Sequence, residues 1–382
     1  MSPSPLQRLS FKECKRRLLN LKGILSKRYA YKGPDVAQID LTDRCNSSCS
    51  VCWLHSPLKK AQQREGYELN LNIVKDAICD LASSGTKEII FSGGGEPFLY
   101  PHIWGVIEHT QKQGLLFRIN TNFTLLDKAD IQRLLSFNKL ASLTVSIWAG
   151  GAATYAAVHH RNPEDFSKLV QNLKIFNALR PRALEVKLCV VVTKANYKNL
   201  RSTVSLAEEC RCSSLEFVIF DPMPGLTDTL LLNKEELDFL HKEFTYVRRH
   251  PKNIRIVNPG IFLSRISNPG ACRGEYDTFI MDLPCYAGWF FLRIRANGDF
   301  NSCLKSHRLP LGNIYNDTFD CVWNGPKQQE FREKGLSLPR DKSYFRMMGS
   351  CDDDRGCRCM CDNIKVNAHI HSIMRSLFWL RN

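Results

Sequence analysis

Between residues 36 and 220 the chain alternates short apolar runs with stretches of helical periodicity. The strand-like runs lie at 36–41, 88–91, 115–119, 143–147, 184–192 and 215–220. Between the first two, Ile73, Val74, Ala77, Ile78 and Leu81 recur at the spacing of one helix face. Six such units in so short a length require parallel strands joined by crossover helices. The run Cys189-Val190-Val191-Val192 is apolar without alternation, as expected of a strand covered on both faces. The predicted fold is α/β, a partial (β/α)6 TIM-like barrel followed by a small cysteine-rich domain. In such a barrel the reactive residues should gather at the C-terminal ends of the strands.

The texture of the chain suggests its divisions: a basic amphipathic leader helix over 1–34, the barrel over 35–232, a helical linker over 233–271, a cysteine-rich module over 272–364 and a tail over 365–382. In the linker, Asn233 reads as an N-cap followed by Glu235 and Glu236. The net charge is +15, but 1–34 alone carries +8 and the body over 35–362 only +4. In the leader, Phe11, Cys14, Leu18, Leu21, Leu25 and Tyr29 fall on one helix face. That face should dock on the main domain, with a contact to an anionic membrane or an anionic substrate as the alternative. No stretch approaches the ~20 apolar residues of a bilayer-spanning helix. Arg8, Lys12 and Lys15 break up any secretory signal, so a cytosolic location is expected. Sixteen cysteines in a reducing compartment then point to metal or redox chemistry rather than disulfides.

Directly after the first strand comes a C-x3-C-x2-C loop, Cys45, Cys49 and Cys52. Three thiolates can hold three corners of a four-iron cube and leave one iron open. An open position marks a reactive metal site. Zinc, with His55 as a fourth ligand, is the alternative that spacing leaves open. The second strand runs into Ser92-Gly93-Gly94-Gly95-Glu96-Pro97, and consecutive glycines permit close approach to the backbone.

Together the two loops resemble those of the radical S-adenosylmethionine enzymes. The resemblance covers roughly 36–220. It implies that Cys45, Cys49 and Cys52 ligate a [4Fe-4S] cluster. It also implies that Gly94, Gly95, Glu96 and Pro97 match the family's GGEP motif, which meets the amino group of S-adenosylmethionine. Reductive cleavage of that cofactor to a 5′-deoxyadenosyl radical, and hydrogen abstraction from a substrate, are the implied chemistry. An external one-electron reductant of flavodoxin or ferredoxin type is the implied partner. Asn122, in Thr121-Asn122-Phe123, matches the family's T-N-G turn, with Phe123 in place of glycine. Ser146 matches the start of its S-L-D-G run, with Trp148 where Asp is common. Arg161 stands at the spacing of a family arginine, a surface ion pair being the alternative, and Trp53 is a candidate to flank the adenine or a plain core residue.

Eight of the sixteen cysteines lie between 272 and 361. Cys285 and Cys303 bracket a strand–turn–strand with Asn297-Gly298 as the hairpin turn, followed by Leu311-Gly312-Asn313-Ile314. This C-x12-G-x4-C pattern resembles the SPASM and twitch extensions, which hold auxiliary iron–sulfur clusters. The resemblance implies one cluster on Cys285, Cys303 and two of Cys351, Cys357, Cys359 and Cys361. Cys272 and the remaining two would supply ligands for a second. Zinc at 351–361 is the alternative. Cys321 reads as a packed core residue, and Cys14, Cys79, Cys189, Cys210 and Cys212 as structural.

The reading is therefore an oxidoreductase or maturase acting on a peptide or protein, a sugar or another small metabolite, with an auxiliary cluster assisting. Only 34 residues precede the barrel, which leaves little room for a separate leader-peptide domain. An enzyme of the same class acting on tRNA or rRNA is a second reading, weakened by the mild charge of the body. A non-catalytic membrane-surface iron–sulfur protein is a third.

Overall fold

The computed structural model describes residues 11–59, 66–249, 253–272, 282–349, 357 and 361–379. Six strands follow the predicted alternation: β1 (Val36–Asp40), β2 (Glu88–Ser92), β3 (Leu116–Thr121), β4 (Leu140–Ser146), β5 (Glu185–Val192) and β6 (Ser214–Ile219). The leading helix is α1 (Phe11–Ser26), and the crossovers carry α2 (Leu71–Ser83), α3 (Ile103–Lys112), α4 (Lys128–Leu135), α5 (Ala152–His159), α6 (Pro163–Leu179) and α7 (Leu200–Glu209). Each strand pairs in parallel with the next. β5 alternates rather than being buried uniformly. Val186, Leu188, Val190 and Val192 pack into the core, while Cys189 and Val191 face a cavity inside the barrel.

The segment read as a linker is built into the sheet. Helix α8 (Lys234–Arg249) starts at a reciprocal cap, in which Asn233 Oδ1 accepts the Glu236 N–H at 2.9 Å and Glu236 accepts the Asn233 N–H at 2.8 Å. A seventh strand, β7 (Arg255–Val257), then pairs in parallel with β6. Phe262, in the helix that follows, packs against Phe244 of α8 at 4.5 Å.

The cysteine-rich module is not a separate body either. Its hairpin, β8 (Phe291–Ile294) and β9 (Asp299–Asn301), turns at Gly298 with φ of +90°. β8 pairs in parallel with β1, Val36 opposite Phe291. With β10 (Gly312–Asn313) the result is one ten-stranded sheet, β10-β9-β8-β1-β2-β3-β4-β5-β6-β7. An ion pair fastens the seam. Arg293 of β8 reaches Asp40 of β1 at 2.5 and 2.7 Å, with both side chains nearly fully buried. Gln38 donates to the other Asp40 oxygen at 2.9 Å, so the buried carboxylate is satisfied on both sides.

Helix α1 docks by a different face from the one its apolar spacing predicts. Asp35 accepts from Arg16 at 2.5 Å and from Asn20 at 3.1 Å, and Ile24 is buried. Gly23 lies so close to Trp289 that a Cβ would stand 2.9 Å from the indole. These polar anchors set the rotation of the helix. Phe11, Leu18 and Leu25 are left outside, 86%, 66% and 58% exposed. Cys321, expected in the core, is also exposed.

Candidate active site

The C-terminal ends of β1 to β6 open on a cavity of about 520 Å³. Cys45, Cys49, Cys52 and Trp53 line it, as do Gly94, Gly95, Glu96, Asn122 and Ser146. Its other wall comes from the auxiliary module, through Arg293, Leu304, Lys305, His307, Gly349 and Asp362. Pro97 and Arg161 do not line it.

The cysteine loop is held by its neighbours on three sides. From the glycine turn, Gly95 N–H donates to Thr42 O at 3.0 Å and Glu96 N–H to Arg44 O at 2.8 Å. From the end of β3, Asn122 Nδ2 donates to Asn46 Oδ1 at 2.7 Å. From beyond α5, Arg161 donates to the Asn46 carbonyl and pairs with Asp165 at 2.9 Å. Arg161 is thus a clamp on the loop rather than a wall of the cavity, because its guanidinium is spent on these two partners.

The glycines have a cause besides ligand approach. A Cβ on Gly94 would stand 2.1 Å from Asp43 Oδ1, and one on Gly95 2.1 Å from the Arg44 carbonyl oxygen. The turn must therefore be side-chain-free to lie against the cysteine loop. Glu96 is turned inward. Its carboxylate accepts from Thr121 Oγ1 at 2.6 Å, Asn122 N–H at 2.7 Å and Phe98 N–H at 3.3 Å. Burial pushes its carboxyl up to about 7 against these donors. It locks the motif to β3, and Pro97 opens the short helical turn it caps.

Phe123 adopts the left-handed backbone, φ of +59°, at the position where the resemblance puts glycine. A bulky residue is strained there. The compensation is complete burial edge-on against Phe176, with ring centroids 5.7 Å apart. The hydroxyl of Ser146 faces the cavity and accepts from Trp148 Nε1 at 2.9 Å. Trp148 therefore binds the serine where the resemblance expects an acid. Trp53 stacks on His307 with centroids 6.0 Å apart, and Arg293 lies over it at 5.6 Å.

The thiols suit iron–sulfur ligation. Burial and mutual proximity raise Cys45 to about 11 and Cys49 higher still, so iron binding must displace their protons. Among the described residues no three His, Cys, Asp or Glu side chains converge closely enough to hold one metal ion. The His55 backbone N–H, at 3.2 Å, faces the Cys52 sulfur.

The second thiol set gathers behind the cavity wall. Cys285, Cys303, Cys357 and Cys361 lie near enough to act on one another's charge, and burial raises Cys285, Cys303 and Cys361. Phe331, Leu338, Phe345 and Met348 pack around Cys303 and Cys357. Asn363 and Asn367 point Nδ2 at the sulfurs of Cys303 and Cys361, at 3.8 and 3.9 Å. Cys351, Cys359 and the Cys272 side chain, expected as further ligands, lie outside the described residues. Sequence reasoning missed Arg293 and His159. A charge inside the apolar run 290–294, and one at Asp40 ending β1, were the signals for the first.

Comparison with known proteins agrees with this geometry. Residues 39–207 match the family model of the Radical SAM superfamily, and residues 285–359 that of the SPASM iron–sulfur cluster-binding domain. The AdoMet-dependent heme synthase of Nitratidesulfovibrio vulgaris is 23% identical over 85% of this chain and 87% of its own length. The antilisterial bacteriocin subtilosin biosynthesis protein AlbA of Bacillus subtilis is 20% identical over 76% of this chain, which spans 59% of that relative. Among solved structures, SuiB of Streptococcus suis bound to S-adenosylmethionine superposes with a TM-score of 0.61 at 15% identity, covering 86% of this chain and 75% of SuiB. SuiB is also known bound to its precursor peptide SuiA. The chain thus carries a Radical SAM domain over 39–207, which contains the cysteine loop and the glycine turn fitted against it, and a SPASM iron–sulfur cluster-binding domain over 285–359 at its C-terminal side.

Proposed function

We propose that the chain is a radical SAM oxidoreductase whose substrate is a peptide or protein side chain, with the auxiliary cluster assisting oxidation. The observation that carries this reading is the shared cavity, which has the three-cysteine loop on one wall and the auxiliary module on the other. When bound, the [4Fe-4S] cluster and S-adenosylmethionine supply a 5′-deoxyadenosyl radical, formed with one electron from an external reductant, to take a hydrogen atom from the substrate. Cys45, Cys49 and Cys52 would hold that cluster. The backbone of Gly93–Gly95, Ser146 and Asn120 present the polar surface a nucleoside and an amino acid need. Trp53, Phe220 and Met223 supply apolar walls that exclude water. Cys285, Cys303, Cys357 and Cys361 would hold an auxiliary cluster. The kinship with a bacteriocin biosynthesis protein supports a peptide substrate.

The test is anaerobic reconstitution with iron, sulfide, S-adenosylmethionine and dithionite. Formation of 5′-deoxyadenosine, lost in Cys49→Ala, is expected. No 5′-deoxyadenosine, or an unimpaired Cys49→Ala, would overturn the class assignment. Incubation with candidate precursor peptides, read by mass spectrometry, then tests the substrate.

A second, compatible reading concerns α1. Phe11, Leu18 and Leu25 form an exposed stripe, with exposed Lys15, Arg17 and Lys22 on the same helix. That combination fits peripheral contact with an anionic lipid surface. Flotation with vesicles containing phosphatidylserine should carry the native chain and leave the triple variant F11S/L18S/L25S in solution. Equal recovery of both removes this reading.

A further inference from the structure

We propose that His159 tunes the barrel cluster by donating an N–H hydrogen bond to the sulfur of Cys49, and so sets the potential at which that cluster takes its electron. The inference rests on the reading of Cys49 as an iron ligand.

The argument begins with the proton's place on the ring. His159 is the last residue of α5 and is 1% exposed. Its Nε2 accepts the backbone N–H of Trp148 at 3.1 Å. A nitrogen that accepts carries no proton, and a neutral imidazole has one proton to place. The proton is therefore on Nδ1. That atom lies 3.1 Å from Cys49 Sγ. Neutrality follows from the contact with Trp148, since an imidazolium carries a proton on each nitrogen and could not accept at Nε2.

The ring is also fixed in place. Trp148 and Tyr155 flank it, with centroids 4.9 and 4.7 Å away. The end of α5 is tied to the cysteine loop by Ser48 N–H on the His159 carbonyl at 3.3 Å and Ser50 N–H on the Val158 carbonyl at 2.9 Å. These bonds satisfy helix-terminal carbonyls that otherwise lack partners. They would hold the loop without any imidazole. The N–H aimed at sulfur is thus an addition to the tether.

Its effect is electrostatic. Cys45 takes a backbone donor from Ser47 and Cys52 one from His55. Cys49 has a side-chain donor in addition to a backbone N–H, so the imidazole donor can be removed by substitution. A donor to a ligand sulfur stabilises the reduced, more negative cluster and raises its potential.

The test uses the full-length, anaerobically reconstituted chain. His159→Phe keeps the ring volume and removes the N–H, whereas His159→Asn returns an amide N–H close to where Nδ1 stood. A redox titration followed by electron paramagnetic resonance should show the barrel cluster displaced to more negative potential in H159F. At a fixed potential its reduced-to-oxidised ratio should fall about tenfold, about 59 mV for a one-electron couple. H159N should recover most of the shift, and the auxiliary cluster should not move. An unshifted potential in H159F with full iron content would overturn the proposal, as would an H159N as displaced as H159F. Should H159F fail to hold iron, pulsed resonance on the native chain labelled with ¹⁵N in the histidine imidazole rings alone decides. A weak ¹⁵N coupling to the reduced barrel cluster is expected, and its absence refutes the bond. If Cys49→Ala retains the native cluster signal, the ligand reading itself has failed instead.

Discussion

The two thiol sets solve opposite problems. Cys45, Cys49 and Cys52 come from one eight-residue stretch, border an open cavity and stop at three. Cys285, Cys303, Cys357 and Cys361 are collected from segments up to 76 residues apart and sit within an apolar shell. An open position admits a reactant, and a closed set supports structure and electron transfer. The contrast shows that a reactive site can be written locally, while a closed one is a product of folding.

The sharpest way to break this contrast is to remove one thiol from each set. Cys49→Ala should abolish 5′-deoxyadenosine formation and lose about four irons, those of the barrel cluster. Cys361→Ala should lose auxiliary iron instead and lower the melting temperature, because the binding energy of a closed site is folding energy. Iron analysis with calorimetry checks both. Equal melting temperatures for the two variants would erase the distinction.

The seam between the regions comes next. Arg293→Met leaves Asp40 buried without its cation, at a cost of about 3–5 kcal/mol. Urea unfolding measures it, and the double variant with Asp40→Leu should recover much of the loss. At Phe123 the usual ranking of alanine over glycine should invert. Phe123→Ala loses the packing, at about 3–4 kcal/mol, and keeps the strained backbone. Phe123→Gly loses the same packing but relieves the strain, so it should be more stable than the alanine variant by about 1 kcal/mol.

Glu96 gives a pH signature. Its folded pKa, near 7, lies above its ordinary value of 4.5. Protonation therefore favours the fold. That contribution is full below 4.5 and is lost as pH rises through about 7. Glu96→Gln should flatten the stability profile between those values in thermal melts.

Much of this was legible because it is local. Strand–helix alternation, the C-x3-C-x2-C loop, the cap at Asn233 and the turn at Gly298 each involve neighbours in sequence. What was hidden depends on distant partners. Nothing in the spacing of α1 says that Asp35 and Trp289 will turn Phe11 and Leu18 outward. The clamp made by Arg161, the inward turn of Glu96 and the meeting of Cys361 with Cys285 and Cys303 likewise follow from where remote elements meet. Phe123 is the intermediate case. The departure from glycine was visible, but the Phe176 ring that offsets its strain was not.

The pairing of β1 with β8 also has a consequence in time. Val36 waits for Phe291, 255 residues later in synthesis. At roughly 5–20 residues per second, the ribosome leaves the first strand with an open edge for about 13–50 seconds. During that interval the cysteine loop is reachable from the side that the auxiliary module later covers. The barrel therefore closes on this side only when most of the chain has been made.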